Sequence, residues 1–200
     1  MRFRPSTALL LMVFAGRAEA EPQWQEYSWE NAQFAASFPA PPSVLRMPSD
    51  PVASHIRGTV YLVVQPTGRF EVVVFDLGRS GIGEPAAIDR AAAALRQKGK
   101  INLDIASEVQ GHWGRYLSFE SADGGHTIAA VYFRNDRLYE IEASAPAESF
   151  DAVSSDMVRF QQSLRFTGNL NPRRADSAGG SPASPLLNLG GRLFANGSQR

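Results

Sequence analysis

Cysteine is absent from all 200 residues, which excludes disulfides, thiolate metal sites and cysteine nucleophiles together. Histidine is scarce. His55, His112 and His126 stand apart, without the i, i+4 pairing that holds zinc on one helix face, and no metal or cofactor is expected. The longest early apolar stretch, Ala8 to Ala15, falls well short of the roughly 20 residues a bilayer-spanning helix needs. No internal repeat supports a solenoid. The net charge is zero, but it divides unevenly along the chain: residues 21–167 have 13 basic and 18 acidic side chains, net −5, whereas residues 168–200 have four Arg and one Asp, net +3. A body without a general basic field is not built for nucleic acid or anionic phospholipid.

Arg2 and Arg4, the apolar stretch after them and the small-x-small pattern Ala18-Glu19-Ala20 together predict a secretory signal peptide over residues 1–20, cleaved to leave Glu21. No adjacent arginine pair precedes the apolar stretch, and there is no cysteine to lipidate, so general secretion of an unfolded chain is expected. The expected compartment is the periplasm or the exterior, and the mature chain is not expected to span a membrane. A cysteine-free exported domain fits a bacterial envelope. Residues 21–167 are enough for one core, about 70% buried without covalent staples. Beyond them Asn, Pro, Ser, Gly and Arg dominate, and this composition predicts a disordered tail over 168–200 in which Leu186, Leu187, Leu189, Leu193 and Phe194 are a conceivable contact.

Within the body, Trp24, Tyr27 and Trp29 lead into an alternating strand, Phe34 to Phe38, that is stopped by Pro39, Pro41 and Pro42. Thr59–Gln65 and Phe70–Leu77 read as a hairpin about Pro66-Thr67-Gly68. A glycine-rich loop, Gly78 to Gly83, precedes a helix whose apolar face is Ile88, Ala91, Ala92 and Leu95, ending by Gly99. A run of strands follows: Ile101–Ile105, Arg115–Ser121 after a Gly111-His112-Trp113-Gly114 turn, Thr127–Arg134 and Leu138–Ala145. Phe150, Val153, Met157, Phe160 and Leu164 then line one stripe of a second helix that runs into a short strand, Leu164 to Phe166. Strands that follow one another directly predict an α+β fold, a central antiparallel β-sheet with helices packed on it.

The order of several landmarks resembles that of exported bacterial proteins of the PsbP-like superfamily. Phe34-Ala35-Ala36-Ser37-Phe38-Pro39-Ala40-Pro41 is similar to that group's opening F-x-x-x-F-P-x-x-P strand, and Gly111-His112-Trp113-Gly114-Arg115 is similar to its G-x-x-G-R turn. Arg137-Leu138-Tyr139-Glu140-Ile141 resembles its R-L-Y-x-L strand, and Phe160-Gln161-Gln162-Ser163-Leu164-Arg165-Phe166 its terminal F-x-x-S-F-x-F. The resemblance implies an antiparallel sheet sandwiched by helices, an αβα sandwich, and an accessory or binding role without catalysis. It transfers no partner, because no residue here matches a shared functional motif.

Gly78-Arg79-Ser80-Gly81-Ile82-Gly83 sits between strand and helix as a phosphate loop would, but it has neither the G-x-G-x-x-G spacing nor the P-loop lysine, and Glu84 would oppose an anion. Ser80 lacks the G-x-S-x-G elbow of a hydrolase nucleophile. Glu140 and Glu142 share a strand face, read as solvated rather than as a glycosidase pair. The candidate binding residues are His112, Trp113, Arg115 and Tyr116: Trp and Arg are enriched in interface hot spots, and Trp113 between two glycines either meets a partner or folds back over a sheet edge. The expectation is a non-enzymatic accessory or binding protein of the bacterial cell envelope with a protein partner. Two alternatives stay open: a periplasmic ligand-binding protein or hydrolase whose site is assembled from distant residues, and an envelope protein that holds other chains through its tail.

Overall fold

Alternation along the strand His126–Arg134 explains the architecture. Ile128, Ala130 and Tyr132 enter one apolar cluster, while Ala129, Val131 and Phe133 enter another, so the strand is buried on both faces. The computed structural model describes residues 24–47 and 57–168. Their strands are β1 (Gln25–Trp29), β2 (Phe34–Phe38), β3 (Ser43–Arg46), β4 (Arg57–Gln65), β5 (Gly68–Asp76), β6 (Gly99–Val109), β7 (His112–Ser121), β8 (His126–Arg134), β9 (Arg137–Ala145) and β10 (Arg165–Phe166). The helices are α1 (Glu84–Arg96), between β5 and β6, and α2 (Phe150–Gln162), after β9. The signal peptide read over 1–20 lies outside the described residues, as do His55 and the tail from 169 onward.

Seven strands form one antiparallel sheet in the order β3-β4-β5-β9-β8-β7-β6, and β1, β2 and β10 form a second, with β2 in its centre. On one face of the large sheet, Ala87, Ile88, Ala91, Ala92 and Leu95 of α1 pack on Leu117, Phe119, Ala129 and Val131. On the other face lie both the small sheet and α2: Phe34, Ala36 and Phe38 of β2 join Val153, Met157 and Phe160 of α2 over Tyr61, Val72, Tyr132, Tyr139 and Ile141. Phe160 makes edge-to-face contacts with Phe38 at 4.9 Å and Phe70 at 5.4 Å, and so joins α2 to both sheets.

The expected α+β sandwich is therefore corrected. The fold is dominated by two antiparallel sheets, and helices do not sandwich a central sheet, because much of the second face is covered by strands rather than by helix. The aromatic segment before Phe34 is itself a strand, β1, whose Trp29 stacks on Phe34 at 4.9 Å. β3 is a further strand not read from the sequence, and the terminal strand pairs with β2 as β10. No helix among the described residues is long and apolar enough to cross a membrane.

Candidate functional site

The predicted turn at Gly111–Gly114 is shifted by the structure. The chain reverses at Gln110-Gly111, both with positive φ (50° and 80°), so His112 and Trp113 already belong to β7. Such a two-residue reversal matches the twist of the flanking strands, and Gly111 adopts its left-handed conformation without steric cost. Gly114 serves a different purpose: a Cβ there would lie 2.0 Å from the carbonyl oxygen of Val131 on β8, so only glycine admits this strand approach.

Placing the four candidate residues on a strand divides them between two faces. Trp113 and Arg115 share the α1 face with Leu117, whereas His112 and Tyr116 share the α2 face. Trp113 is 61% exposed and does not fold over the edge. Arg115 Nε donates to Asp104 Oδ1 on β6 at 2.9 Å, and Arg96 Nε of α1 donates to Asp104 Oδ2 at 2.8 Å. Burial works against the Asp104 carboxylate, but hydrogen bonds from Arg96 and Arg115 outweigh it and hold the pKa below its ordinary value. His112 meets Phe166 edge to face at 5.2 Å; burial, helped by the Arg134 cation and opposed by Glu84, lowers its pKa. Burial, reinforced by Tyr132, raises the pKa of Tyr116, which packs against the first cluster.

Beside these residues runs β6, an edge strand of the large sheet with Leu103 and Ile105 exposed. An irregularity between Ile101 and Leu103 interrupts its pairing with β7. An edge strand presents backbone donors and acceptors that another chain can pair with.

Two other clusters were not legible as sites. Glu140 and Glu142 do not form a solvated face: their side chains are 15% and 12% exposed, and Lys98 Nζ binds them at 3.4 and 2.6 Å. Glu71 lies beside them on β5 and accepts from Arg69 Nη2 at 2.6 Å. The second cluster lines a cavity of about 660 Å³ beside β3, β4, β5 and β9, where Arg46, Arg57 and Arg137 accompany Thr59, Tyr61 and Asp76, and Asn31 adds a wall before β2. Strand pairing explains the convergence. Arg46 faces Thr59, and Arg57 and Arg137 both face Asp76, so residues scattered through the sequence share one face.

The glycine-rich loop is occupied with its own closure. Ser80 Oγ donates to the Leu77 carbonyl at 2.7 Å and accepts from Ile82 N–H at 3.1 Å, while Gly78 N–H donates to Asp76 Oδ1 at 3.1 Å.

No protein-family model matches the sequence, and no curated protein matches it. Among solved structures, the chain is similar to cyanobacterial PsbP (CyanoP) from Synechocystis sp. PCC 6803, with a TM-score of 0.49 and 13% identity over 74% of this chain and 95% of that one. It is also similar to PA94, a protein of unknown function from Pseudomonas aeruginosa, with a TM-score of 0.42 and 11% identity over 73% of this chain and 99% of that one.

Proposed function

We propose that this chain is a non-enzymatic, exported accessory or binding protein of the bacterial cell envelope, and that it meets a protein partner along β6 and β7. One observation carries the reading: β6 is an edge strand among the described residues, and exposed apolar side chains flank it on both faces, Trp113 (61% exposed) on the α1 face and Leu103 and Ile105, opposite Ser118 and Tyr116, on the α2 face. A partner strand added to the outer edge of β6 would lie between these apolar groups and cover part of each face, while the braced Arg115–Asp104–Arg96 group supplies a rigid polar rim on the α1 face. The export signal expected over residues 1–20 supports an encounter outside the cytoplasm.

The test is crosslinked co-purification from the periplasm, comparing wild type with Trp113→Ala. Removal of an interface aromatic anchor costs about 2 kcal/mol or more, so recovery of a specific partner is expected to fall at least ~10-fold while the melting temperature stays unchanged. Unchanged recovery with a stable Trp113→Ala protein would sink the reading. A second reading, binding of a small ligand, is favoured by the arginine-lined cavity.

A further inference from the structure

We infer that the cavity lined by Arg46, Arg57 and Arg137 binds a small organic dianion, a phosphate monoester or a dicarboxylate, through its oxygen atoms. This inference does not depend on the partner surface at Trp113.

The argument starts from charge. Among the described residues, Asp76 is the one carboxylate lining the cavity, against three guanidinium groups, which leaves these residues a net charge of +2. Among the described residues, none of the three arginines has a carboxylate within ion-pair distance, although five other basic residues, Arg69, Arg96, Lys98, Arg115 and Arg165, do. Asp76 forms no ion pair with them; its Oδ1 accepts from the Gly78 N–H. Arg137 Nη1 is buried and has no hydrogen-bond partner. A buried cationic donor without an acceptor is unfavourable, so Arg137, which lines the cavity, has bonding capacity that the fold leaves unused. The planar guanidinium fork matches carboxylate and phosphate oxygens in pairs.

The remaining walls narrow the ligand. Val74 and the ring of the buried Tyr61 are apolar, and Asn31 and Thr59 are neutral polar groups beside the cations. Burial raises the pKa of Tyr61, with Arg137 opposing, so its hydroxyl keeps its proton and remains a donor. A volume of about 660 Å³ lies within the range of small-molecule sites, roughly 300–1,000 Å³, and leaves room for an organic body besides the anionic groups. The site is local. Residues 21–167 have a net charge of −5, so this is an isolated cationic cavity on an acidic body, which argues against a polyanionic surface such as nucleic acid or membrane as its occupant.

Titration calorimetry of the purified full chain at constant ionic strength, with glycerol phosphate, succinate and inorganic phosphate as separate probes, tests the inference. One-site saturable binding of glycerol phosphate or succinate is expected, and whichever binds identifies the anionic group. Arg57→Gln is expected to weaken it at least ~10-fold, and Arg137→Gln at least as much. Arg57 is exposed at the start of β4, so its variant keeps the test decisive if Arg137→Gln fails to fold. Absence of saturable binding by either organic dianion, binding of inorganic phosphate alone, or affinity unchanged in a folded Arg57→Gln protein would overturn the inference. Trp113→Ala is expected to leave the affinity unchanged, so this result and that of the partner test stand apart.

Discussion

Glu140 is a carboxyl whose ionisation the folded chain resists. Burial raises its pKa above the ordinary 4.5, the Lys98 ammonium opposes that rise, and the Glu142 carboxylate adds to it. A group with a raised folded pKa gives up stability as pH rises through that pKa, so ionised Glu140 is a liability at neutral pH and none well below 4.5. Glu140→Gln is therefore expected to raise the melting temperature at pH 7, with the gain shrinking as pH falls into the ordinary carboxylate range; a gain independent of pH would contradict this account. Lys98, 2.6 Å from Glu142, keeps a carboxylate partner available in that variant. Alternation placed Glu140 and Glu142 on one face from sequence alone, but the burial of that face was not legible. It depends on Lys98, which lies 42 and 44 residues away in sequence and reaches over the sheet from the end of α1. The candidate turn shows the same limit. Gly111 and Gly114 marked a reversal, yet only the approach of Val131 reveals that one is needed for backbone conformation and the other for space.

Among the elements, α2 shows how the second face of the large sheet is closed. Its apolar stripe was readable as a period of three and four, and Val153, Met157 and Phe160 are buried as that stripe requires. What lies beneath the stripe was not readable, because pairing of β2 with β10 joins opposite ends of the described chain and leaves no mark on local periodicity. β1 and β3 were missed for a related reason. Every residue of β3 is exposed, and β1 has no buried residue, so neither has the clean apolar alternation of a core strand. Phe160 touches Phe38 of one sheet and Phe70 of the other, so Phe160→Ala is expected to cost about 3–5 kcal/mol in urea-unfolding stability, within the range for large core truncations. A loss below about 1 kcal/mol would mean that the two sheets are held together without α2.

At the scale of the molecule, two apolar clusters lie on opposite faces of one sheet, and the same strands build both. Ala130 and Tyr132 belong to one cluster and Val131 and Phe133 to the other, so a one-residue slip of β8 would exchange the two sets. The clusters should therefore unfold together, a coupling that can be measured from one side alone. Leu95 is fully buried in the α1 cluster, whereas Trp24 and Trp29 pack against the cluster on the far face. In a Trp113→Phe background, which leaves only the two tryptophans of the far face, Leu95→Ala is expected to cost about 2–5 kcal/mol and to shift the urea midpoints of tryptophan fluorescence and far-ultraviolet circular dichroism by the same amount. If the fluorescence midpoint stayed in place while the dichroism midpoint fell, the α1 layer would be unfolding on its own. Coincident midpoints would mean that the sheet transmits the loss from one face to the other, so that the β6–β7 edge and the arginine cavity share a single folding equilibrium.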